Sequence, residues 1–248
     1  MPKLSIIIVN YYQLDNLQQL IPQLAHQLAG INWELIVVDN GSGELNEELP
    51  WIKQNQTQLI INQKNIGFAR ACNQGFKKAH GEYLLLLNSD CFPMERAIQR
   101  QLNFMRKHSR CAVSGMALLD PQKTPQRFSY GALPTLPYLV LRKLKWMIVK
   151  RDMHNWLPCT IHPTGWVSGA AMMIRRSTLF SSQLFSNFFF MYFEDVELCL
   201  RLKRQGWQIF FLPHIQAVHR QNTSSKTFTK KLNYYHTSLI TYIWRRIF

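Results

Sequence analysis

The hydrophobic positions of the first hundred residues alternate between segments typical of strands and segments typical of helices. Four apolar runs have the length and composition of buried strands: 4–9, 33–39, 57–62 and 82–90. Three other stretches predict helices: 14–28, 66–81 and 94–107. Strands and helices that alternate through short connections are typical of βαβ units, so this part predicts a parallel sheet covered by helices.

The pattern is less regular in the second part of the chain. Six prolines between residues 121 and 165 predict a long excursion from the sheet. Regular elements return as a strand-like segment at 165–177, a helix at 193–207, a strand at 208–213 and a final amphipathic helix at 226–247.

Length and composition restrict the class of protein. A chain of 248 residues with 47% hydrophobic residues is long enough for one large α/β domain or two small ones. We expect no bilayer-spanning helix, because every apolar run is too short to cross a bilayer. We also expect no secretory leader, because the apolar run at 4–9 lacks a basic leader and a cleavage site. Five well-separated cysteines without a CxxC pair predict reduced thiols in a cytosolic protein.

Charge is divided unevenly along the chain. Residues 1–100 carry 8 Lys and Arg against 9 Asp and Glu, whereas residues 101–248 carry 21 against 5, a net charge of +16. A neutral first part joined to a strongly basic second part indicates an anionic partner for the second. Nucleic acid, an anionic membrane surface and phosphorylated substrates all satisfy that requirement.

Polar clusters follow the first two predicted strands. Asn10 and Tyr11 come after the first, and Asp39 begins an Asp-Asn-Gly-Ser sequence after the second. In a parallel sheet these ends lie side by side at the carboxyl edge, where ligands bind. Asp39 is placed either to accept hydrogen bonds from a base or a ribose, or only to stabilise a turn.

A third cluster, residues 62–75, has neither the GxGxxG nor the P-loop pattern. A helix that begins near Gly67 would still offer backbone amides to a diphosphate, with Arg70 nearby. The alternative for Arg70 is an exposed position on a solvated helix face.

Candidate metal ligands and candidate catalytic acids lie at later element ends. Asp90 follows Asn88 and Ser89 and would bind a divalent cation together with His219 if their strand ends are neighbours. The alternatives are that Asp90 only forms a turn and that His219 is a structural histidine. Glu194 and Asp195 begin a predicted helix after an aromatic-rich segment. They indicate either helix capping or a general base whose pKa is tuned by desolvation.

Six segments in this order resemble the family-2 inverting glycosyltransferases of the GT-A fold, and most closely the rhamnosyltransferase-like branch of bacterial surface-polysaccharide synthesis. The segments are "SIIIVNYY", "ELIVVDNGS", "NIGFARACNQGFKKAHGEYLLLLNSD", "GWVSGAAMMIRRS", "FFMYFEDVELCLRLKRQGW" and "VHR". They span about residues 3–220.

The resemblance implies a role for each candidate residue. The nucleotide sugar would contact Asn10, Tyr11, Asp39, Arg70, Asn73, Asn88 and Ser89. Mg²⁺ or Mn²⁺ would bind Asp90 and His219, with Arg70 or Arg220 adding positive charge at the departing diphosphate. Asp195 would be the catalytic base with Glu194 beside it, and the acceptor side would be shaped by Trp166, Gly169 and Ala170. Asn88 replaces the first acid of the family's DxD motif, which leaves one formal charge for the metal.

The resemblance also implies a fold and a reaction. An α/β GT-A fold with a mostly parallel central sheet would form one catalytic domain over 1–220, with a nucleotide-sugar-binding half (1–110) and an acceptor-binding half (111–220). A basic amphipathic helix would occupy 221–248. The enzyme would transfer a sugar from a dTDP- or UDP-sugar, and the resemblance favours L-rhamnose from dTDP-rhamnose. The acceptor would be a saccharide linked to a polyprenyl diphosphate, in O-antigen, lipopolysaccharide or capsule assembly.

Two segments that mix apolar and basic residues, 138–151 and 226–248, predict an anionic membrane as a further partner. Each would lie in the interface with its apolar face down, which predicts a cytoplasmic protein held on the inner face of the membrane. The alternative is that both helices pack on the domain with solvated basic faces.

Two other functions compete with this one. A sugar-nucleotidyltransferase would have a glycine-rich basic loop after the first strand, where this chain has Asn10-Tyr11-Tyr12-Gln13. A nucleic-acid-binding protein would fit the net charge of +15, but the neutral first part and the lack of a recognised motif predict no nucleic-acid partner.

Overall fold

The secondary structure was obtained from a computed structural model that describes residues 3–54, 57–135, 158, 160–220 and 228–247. The strands are β1 (Leu4–Asn10), β2 (Trp33–Asp39), β3 (Gln58–Ile61), β4 (Tyr83–Asn88), β5 (Cys91–Pro93), β6 (Cys111–Leu119), β7 (Tyr130–Gly131), β8 (His162–Pro163), β9 (Trp166–Val167), β10 (Ala171–Arg175) and β11 (Gln208–His219). The helices are α1 (Leu14–Gln27), α2 (Pro50–Gln54), α3 (Phe68–Lys78), α4 (Ala97–Lys107), α5 (Glu194–Arg204) and α6 (Phe228–Ile247).

Nine of these strands form one central sheet. Its order is β3-β2-β1-β4-β10-β6-β11-β5, and β8 pairs with β11. The four strands predicted from the first hundred residues form its parallel part, β3-β2-β1-β4, with α1 and α3 in the crossover connections. The inner strands β1 and β4 pack with their apolar side chains buried, as in Ile6, Ile8 and Leu85, whereas the edge strand β3 is partly exposed. The predicted α/β class with a mostly parallel sheet is therefore confirmed.

In the other part of the sheet the short strands β5 and β8 were not predicted, and the larger differences from the sequence prediction are at β6 and β11. The strand β6 was not predicted, although all nine of its residues are buried. Its apolar run is interrupted by Ser114 and Gly115, and Gly115 is needed there because a Cβ would lie 2.5 Å from the Val167 side chain. The strand β11 is twice as long as the predicted 208–213, because it continues past Pro213 across a register shift between Leu212 and Gln216.

The strand β10 joins the two predicted halves of the chain. It is antiparallel to both neighbours, pairing with β4 from residues 1–110 and with β6 from residues 111–220. Both halves therefore contribute to one sheet, and its carboxyl edge receives loops from each.

The sheet is covered on both faces by helices. On one face, α1 and α4 bury Leu17, Leu20 and Leu102 against the strands. On the other face, α3, α5 and α6 enclose a second core that contains Phe76, Leu198 and Tyr242. No helix within the described residues is both long enough and apolar enough to cross a bilayer.

The position of α6 corrects the prediction of a helix with its apolar face in the membrane. Tyr235, Leu239 and Tyr242, which were expected to face lipid, pack on the second core, and Tyr242 is only 1% exposed. Packing on the domain is thus what the structure shows for these three residues. The opposite face carries exposed Ile240 and Trp244. The segment 138–151 lies outside the described residues.

Two glycines allow a direct test of the turn that follows β2. Gly41 has φ +80°, and a Cβ there would lie 2.4 Å from the backbone carbon of Lys64; Gly30 has φ +81° with nothing within 4 Å. We expect Gly30→Ala to lower the free energy of unfolding by about 1–2 kcal/mol, the penalty of a left-handed L-residue. Gly41→Ala should lower it by about 1–3 kcal/mol more, since backbone atoms must also move. Urea unfolding measures both, and equal losses would contradict the close packing of residues 41 and 64.

Candidate active site

The candidate residues gather at the carboxyl edge of the parallel strands. Asn10 is aligned with Asp39 across β1 and β2, and Val9 is aligned with Asn88 across β1 and β4. The sequence prediction that the first two clusters lie side by side is confirmed.

The ends of β1 and β2, where nucleotide binding was predicted, contain two fully buried polar residues, Asn10 and Asp39. Asn10 Nδ2 donates to Ser42 Oγ (3.2 Å) and Glu44 Oε2 (3.3 Å), while Asn10 Oδ1 is buried with no partner among the described residues. The Asp39 carboxylate accepts hydrogen bonds from Ser42 N and Oγ and from Gly43 N. Asp39 therefore stabilises the turn, as one alternative proposed, and its contact with a nucleotide stays a prediction.

The ring of Tyr11 completes this side. It is half-buried and meets the more exposed ring of Tyr12 edge-on, with 4.6 Å between centroids. A half-buried aromatic ring at this edge of the sheet is chemically suited to contact a nucleotide base, and that contact stays a prediction.

The start of α3 is occupied by protein rather than open to a diphosphate. Phe68 N donates to Phe190 O (2.7 Å), and Gly67 N donates to Asn65 Oδ1 (2.9 Å). Arg70, in the first turn, is exposed. Asn73 is buried, and its amide bonds with both backbone groups of Phe185 and with Asn187 Oδ1. The structure thus gives Asn73 a framework contact in place of the diphosphate contact that was expected.

Asp90 and His219 come together because β5 pairs antiparallel with β11. This pairing aligns Cys91 with His219, and Asp90 Oδ1 lies 3.2 Å from His219 Nε2. Asn88 Nδ2 lies 3.4 Å from the same nitrogen, and Ser89 is buried between Asn88 and Asp90. Across the described ranges no group of three or more His, Cys, Asp or Glu side chains is assembled for a metal ion. The chain therefore offers a cation two strong ligands here and one amide nearby.

Two residues around His219 differ from expectation. Gln126, which the sequence analysis missed, contacts the ring at Nδ1 (2.9 Å) and donates to the His219 carbonyl. No sequence signal marks it, since it lies in the proline-rich excursion. Arg220, expected at the diphosphate, instead donates to Asn16 Oδ1 (2.9 Å) and Gln19 Oε1 (3.0 Å) on α1. Its guanidinium stabilises the packing of that helix.

The candidate base lies at the first turn of α5. Asp195 Oδ2 accepts a hydrogen bond from Gly169 N (2.9 Å), and Oδ1 accepts one from Val196 N (2.8 Å). Burial raises the pKa of Asp195, although these backbone amides oppose the rise. Burial also raises the pKa of Glu194 well above its ordinary value, and the charge of Asp195 raises it further. Glu194 Oε2 has no partner among the described residues. The two amides that bond Asp195 therefore favour its ionised form, whereas burial beside Asp195 favours the neutral form of Glu194.

The predicted acceptor-side residues connect this base to the metal side. Gly169 bonds Asp195, and the carbonyl of the next residue, Ala170, accepts from Asn88 N (2.9 Å). Trp166 is held by a hydrogen bond from its indole to Ala132 O (3.1 Å). The amide of Gly169 and the carbonyl of Ala170 thus fix Asp195 relative to the Asn88 turn.

The two residues before Glu194 have a strained backbone. Tyr192 has φ 71° and Phe193 has φ 66°, values that cost bulky residues about 1–3 kcal/mol each. The helix α6 holds this turn: Ser238 Oγ donates to Met191 O (2.7 Å), and Phe193 lies 5.3 Å from the ring of Tyr235. The geometry of the acidic pair therefore depends on α6.

Comparisons with known proteins identify the family of this chain. A family model described as Glycosyl transferase family 2 matches residues 5–177. Rhamnosyltransferase WbbL of Escherichia coli (strain K12) is 26% identical over 244 residues, which cover 93% of this chain and 88% of the relative. The N-acetylglucosaminyl-diphospho-decaprenol L-rhamnosyltransferase of Mycobacterium tuberculosis is 22% identical over 213 residues, covering 77% and 67%.

A solved structure shows the same fold. The mannosyltransferase PcManGT from Pyrobaculum calidifontis, in complex with GDP-Man and Mn²⁺, aligns with a TM-score of 0.62 and 14% identity. The alignment covers 88% of this chain but only 56% of that one. The resemblance to the GT-A fold is thereby confirmed.

The buried acidic pair predicts a pH dependence of stability. The folded state binds the proton of Glu194 more tightly than the unfolded state, so the free energy of unfolding falls as pH rises from about 4.3, the unfolded pKa, to the raised folded pKa. The Glu194→Gln variant does not undergo this loss of stability. For the wild type the loss is about 1.4 kcal/mol for each unit by which the folded pKa of Glu194 exceeds the unfolded pKa. The stability of the variant relative to the wild type should therefore increase with pH in urea unfolding at pH 5 and pH 8. Glu95→Gln, at a side chain that is 85% exposed, is the control; a pH-independent difference for Glu194→Gln would contradict the assignment.

Proposed function

The chain belongs to glycosyltransferase family 2, and we propose that it transfers L-rhamnose from dTDP-rhamnose, with inversion, to a hydroxyl of a lipid-linked saccharide. Membership of this family makes it a glycosyltransferase and favours sugar transfer over nucleotidyl transfer. One observation carries the proposal of inversion. Asp195 is held by two amides beside the predicted acceptor residues, whereas Asp90 is paired with His219.

A single base at the acceptor is sufficient for direct displacement. Asp195 takes the proton of the acceptor hydroxyl, and the hydroxyl oxygen forms a bond with the anomeric carbon. At the same time the bond from the anomeric carbon to the diphosphate oxygen breaks, and the diphosphate departs. Burial raises the pKa of Asp195, which makes its carboxylate a stronger base than an ordinary aspartate, and the two amides that bond it favour the ionised form and orient it. Because only one displacement occurs, the configuration at the anomeric carbon is inverted.

The residues at the metal side fit a divalent cation. Asp90 Oδ1 and His219 Nε2 converge within 3.2 Å, which supplies one carboxylate and one imidazole. Mg²⁺ is commonly bound by one or two carboxylates together with substrate phosphates and water. When bound, the cation supplies positive charge that stabilises the departing diphosphate. The mannosyltransferase with GDP-Man and Mn²⁺ supports a cation of this kind, either Mg²⁺ or Mn²⁺.

The names of the relatives support the choice of sugar and acceptor. Both are rhamnosyltransferases, and the second is named for a diphospho-decaprenol acceptor. An acceptor linked to a polyprenyl diphosphate would place this enzyme in O-antigen, lipopolysaccharide or capsule assembly. Such an acceptor lies in the membrane, so we place the enzyme in the cytoplasm, on the inner face of the membrane.

The outer face of α6 supports membrane binding in a form different from the one first expected. Ile240 is 68% exposed and Trp244 is 62% exposed, one helical turn apart. The inner face packs on the domain, so the outer face is the one available to lipid. With a net charge of +16 over residues 101–248, the protein would be attracted to anionic headgroups. We therefore prefer an anionic membrane to nucleic acid as the partner of the basic part.

Two substitutions separate catalysis from donor binding. Asp195→Asn should lower kcat for rhamnose transfer by about 10²–10⁴-fold, the typical contribution of a general base, and leave Mn²⁺-dependent binding of dTDP unchanged. Asp90→Ala should abolish the Mn²⁺ dependence of dTDP binding, measured by calorimetry. Glu95→Gln is the surface control for both. Normal turnover by a folded Asp195→Asn variant would disprove the assignment of the base.

A matched pair of variants tests the membrane face. The double variant Ile240→Ser, Trp244→Ser should bind vesicles containing phosphatidylglycerol at least about tenfold more weakly, because each side chain loses apolar contact worth more than 1 kcal/mol. Asn233→Ser, also exposed on α6, should bind like the wild type. Sedimentation at low salt measures the bound fraction. If the double variant sediments as well as the control, this face does not contact lipid.

A further inference from the structure

We propose that Gln126 is a positioning residue that fixes the tautomer and the orientation of His219, so that Nε2 presents its lone pair beside Asp90. The inference rests on the proposed function, in which Asp90 and His219 face the cation and the diphosphate. It adds a residue from the proline-rich excursion that neither the sequence patterns nor the predicted roles include.

The two contacts of Gln126 determine which of its amide atoms faces the ring. Gln126 Nε2 donates to the carbonyl oxygen of His219, which can only accept. Gln126 Oε1 is therefore the atom that lies 2.9 Å from His219 Nδ1. Because Oε1 has no hydrogen, Nδ1 must carry the proton and donate it. One glutamine side chain thus holds both the backbone and the ring of His219.

The consequence appears at the other ring nitrogen. In a neutral imidazole with its hydrogen on Nδ1, Nε2 is an acceptor. Nε2 lies 3.2 Å from Asp90 Oδ1, also an acceptor, and 3.4 Å from the amide nitrogen of Asn88, a donor. In this tautomer the lone pairs of Nε2 and Oδ1 face each other, a contact that is favourable only when a metal ion or a proton lies between the two atoms. In many metal sites a histidine ligand is oriented in this way, by a hydrogen bond to the ring nitrogen that does not face the metal. Here Gln126 makes that hydrogen bond to Nδ1, and Nε2 faces Asp90.

Gln126 is itself held by a short hairpin. Its backbone N–H donates to Leu118 O (2.8 Å), and Ser129 Oγ donates to its carbonyl (3.0 Å). The connecting turn is closed by Asp120, whose carboxylate accepts from Thr124 N (2.7 Å). The side chain of Gln126 therefore starts from a fixed backbone, as a positioning residue requires.

The first experiment reads the tautomer directly. The ¹⁵N shifts of the His219 ring, assigned by comparison with His219→Ala, should show hydrogen on Nδ1 in the wild type at about pH 8.5, where ordinary imidazoles are neutral. Gln126→Glu keeps an acceptor and should keep this tautomer. Gln126→Leu removes the acceptor and should shift the population toward Nε2–H. Hydrogen on Nε2 in the wild type, or unchanged shifts in Gln126→Leu, would overturn the proposal.

The second experiment measures binding of Mn²⁺ in the presence of dTDP, by electron paramagnetic resonance. Gln126→Ala should weaken Mn²⁺ binding about 10- to 100-fold, as loss of such an orienting partner usually does. In a His219→Ala background the same substitution should have no further effect, because Gln126 acts through the ring. An equal loss in both backgrounds would show an independent role and overturn the inference. Gln122→Ala, exposed in the same hairpin, is the control.

The two measurements fail separately. If the wild type binds no Mn²⁺ with dTDP, the proposed cation is wrong, and the tautomer experiment still decides whether Gln126 orients His219. Circular dichroism and thermal unfolding of each variant show whether a loss of binding comes from a loss of fold.

Discussion

The hydrogen bond from the Gly169 amide to Asp195 is the contact on which the geometry of the site depends. It joins the first turn of α5 to the segment that leads into β10. The next carbonyl, of Ala170, accepts from Asn88 on the turn that leads to Asp90. The candidate base and the candidate metal ligands come from distant parts of the chain, yet two peptide units fix their relative position. The antiparallel strand β10 is what places those units there, since it enters the sheet beside β4 with its amino end at the carboxyl edge.

The position of the acidic pair is energetically unfavourable in two respects. Burial opposes the ionisation of both carboxyl groups, and the preceding Tyr192 and Phe193 have left-handed backbones. The N-terminus of α5 and the two amides that bond Asp195 offset the cost of ionising a buried carboxyl group. Packing of α6 against the turn, through Ser238 and Tyr235, offsets the backbone strain at Tyr192 and Phe193. The family match ends at residue 177, so the assignment of the base depends on these contacts and on the sequence resemblance.

Sequence patterns were most informative where burial alone decides the structure. The parallel strands are continuous apolar runs, and their parallel order was enough to place Asn10 beside Asp39. Patterns failed for β6, whose run is broken by Ser114 and Gly115, although both are buried. They also failed for polar side chains with distant partners. Asn73 bonds a loop more than a hundred residues away, and Gln126 bonds His219 across a similar separation. Such pairs depend on the tertiary fold and leave no local signal.

The helix α6 shows why amphipathicity could not decide between membrane and domain. A helix with one apolar face is expected in both cases, and the packing of Tyr242 assigns that face to the domain. A membrane that took the same face would remove Ser238 from Met191 and release the strained turn before Glu194. Membrane binding through α6 is compatible with an ordered acidic pair only if lipid contacts the opposite face, where Ile240 and Trp244 lie exposed. The same helix would then hold the catalytic turn on one side and the membrane surface on the other.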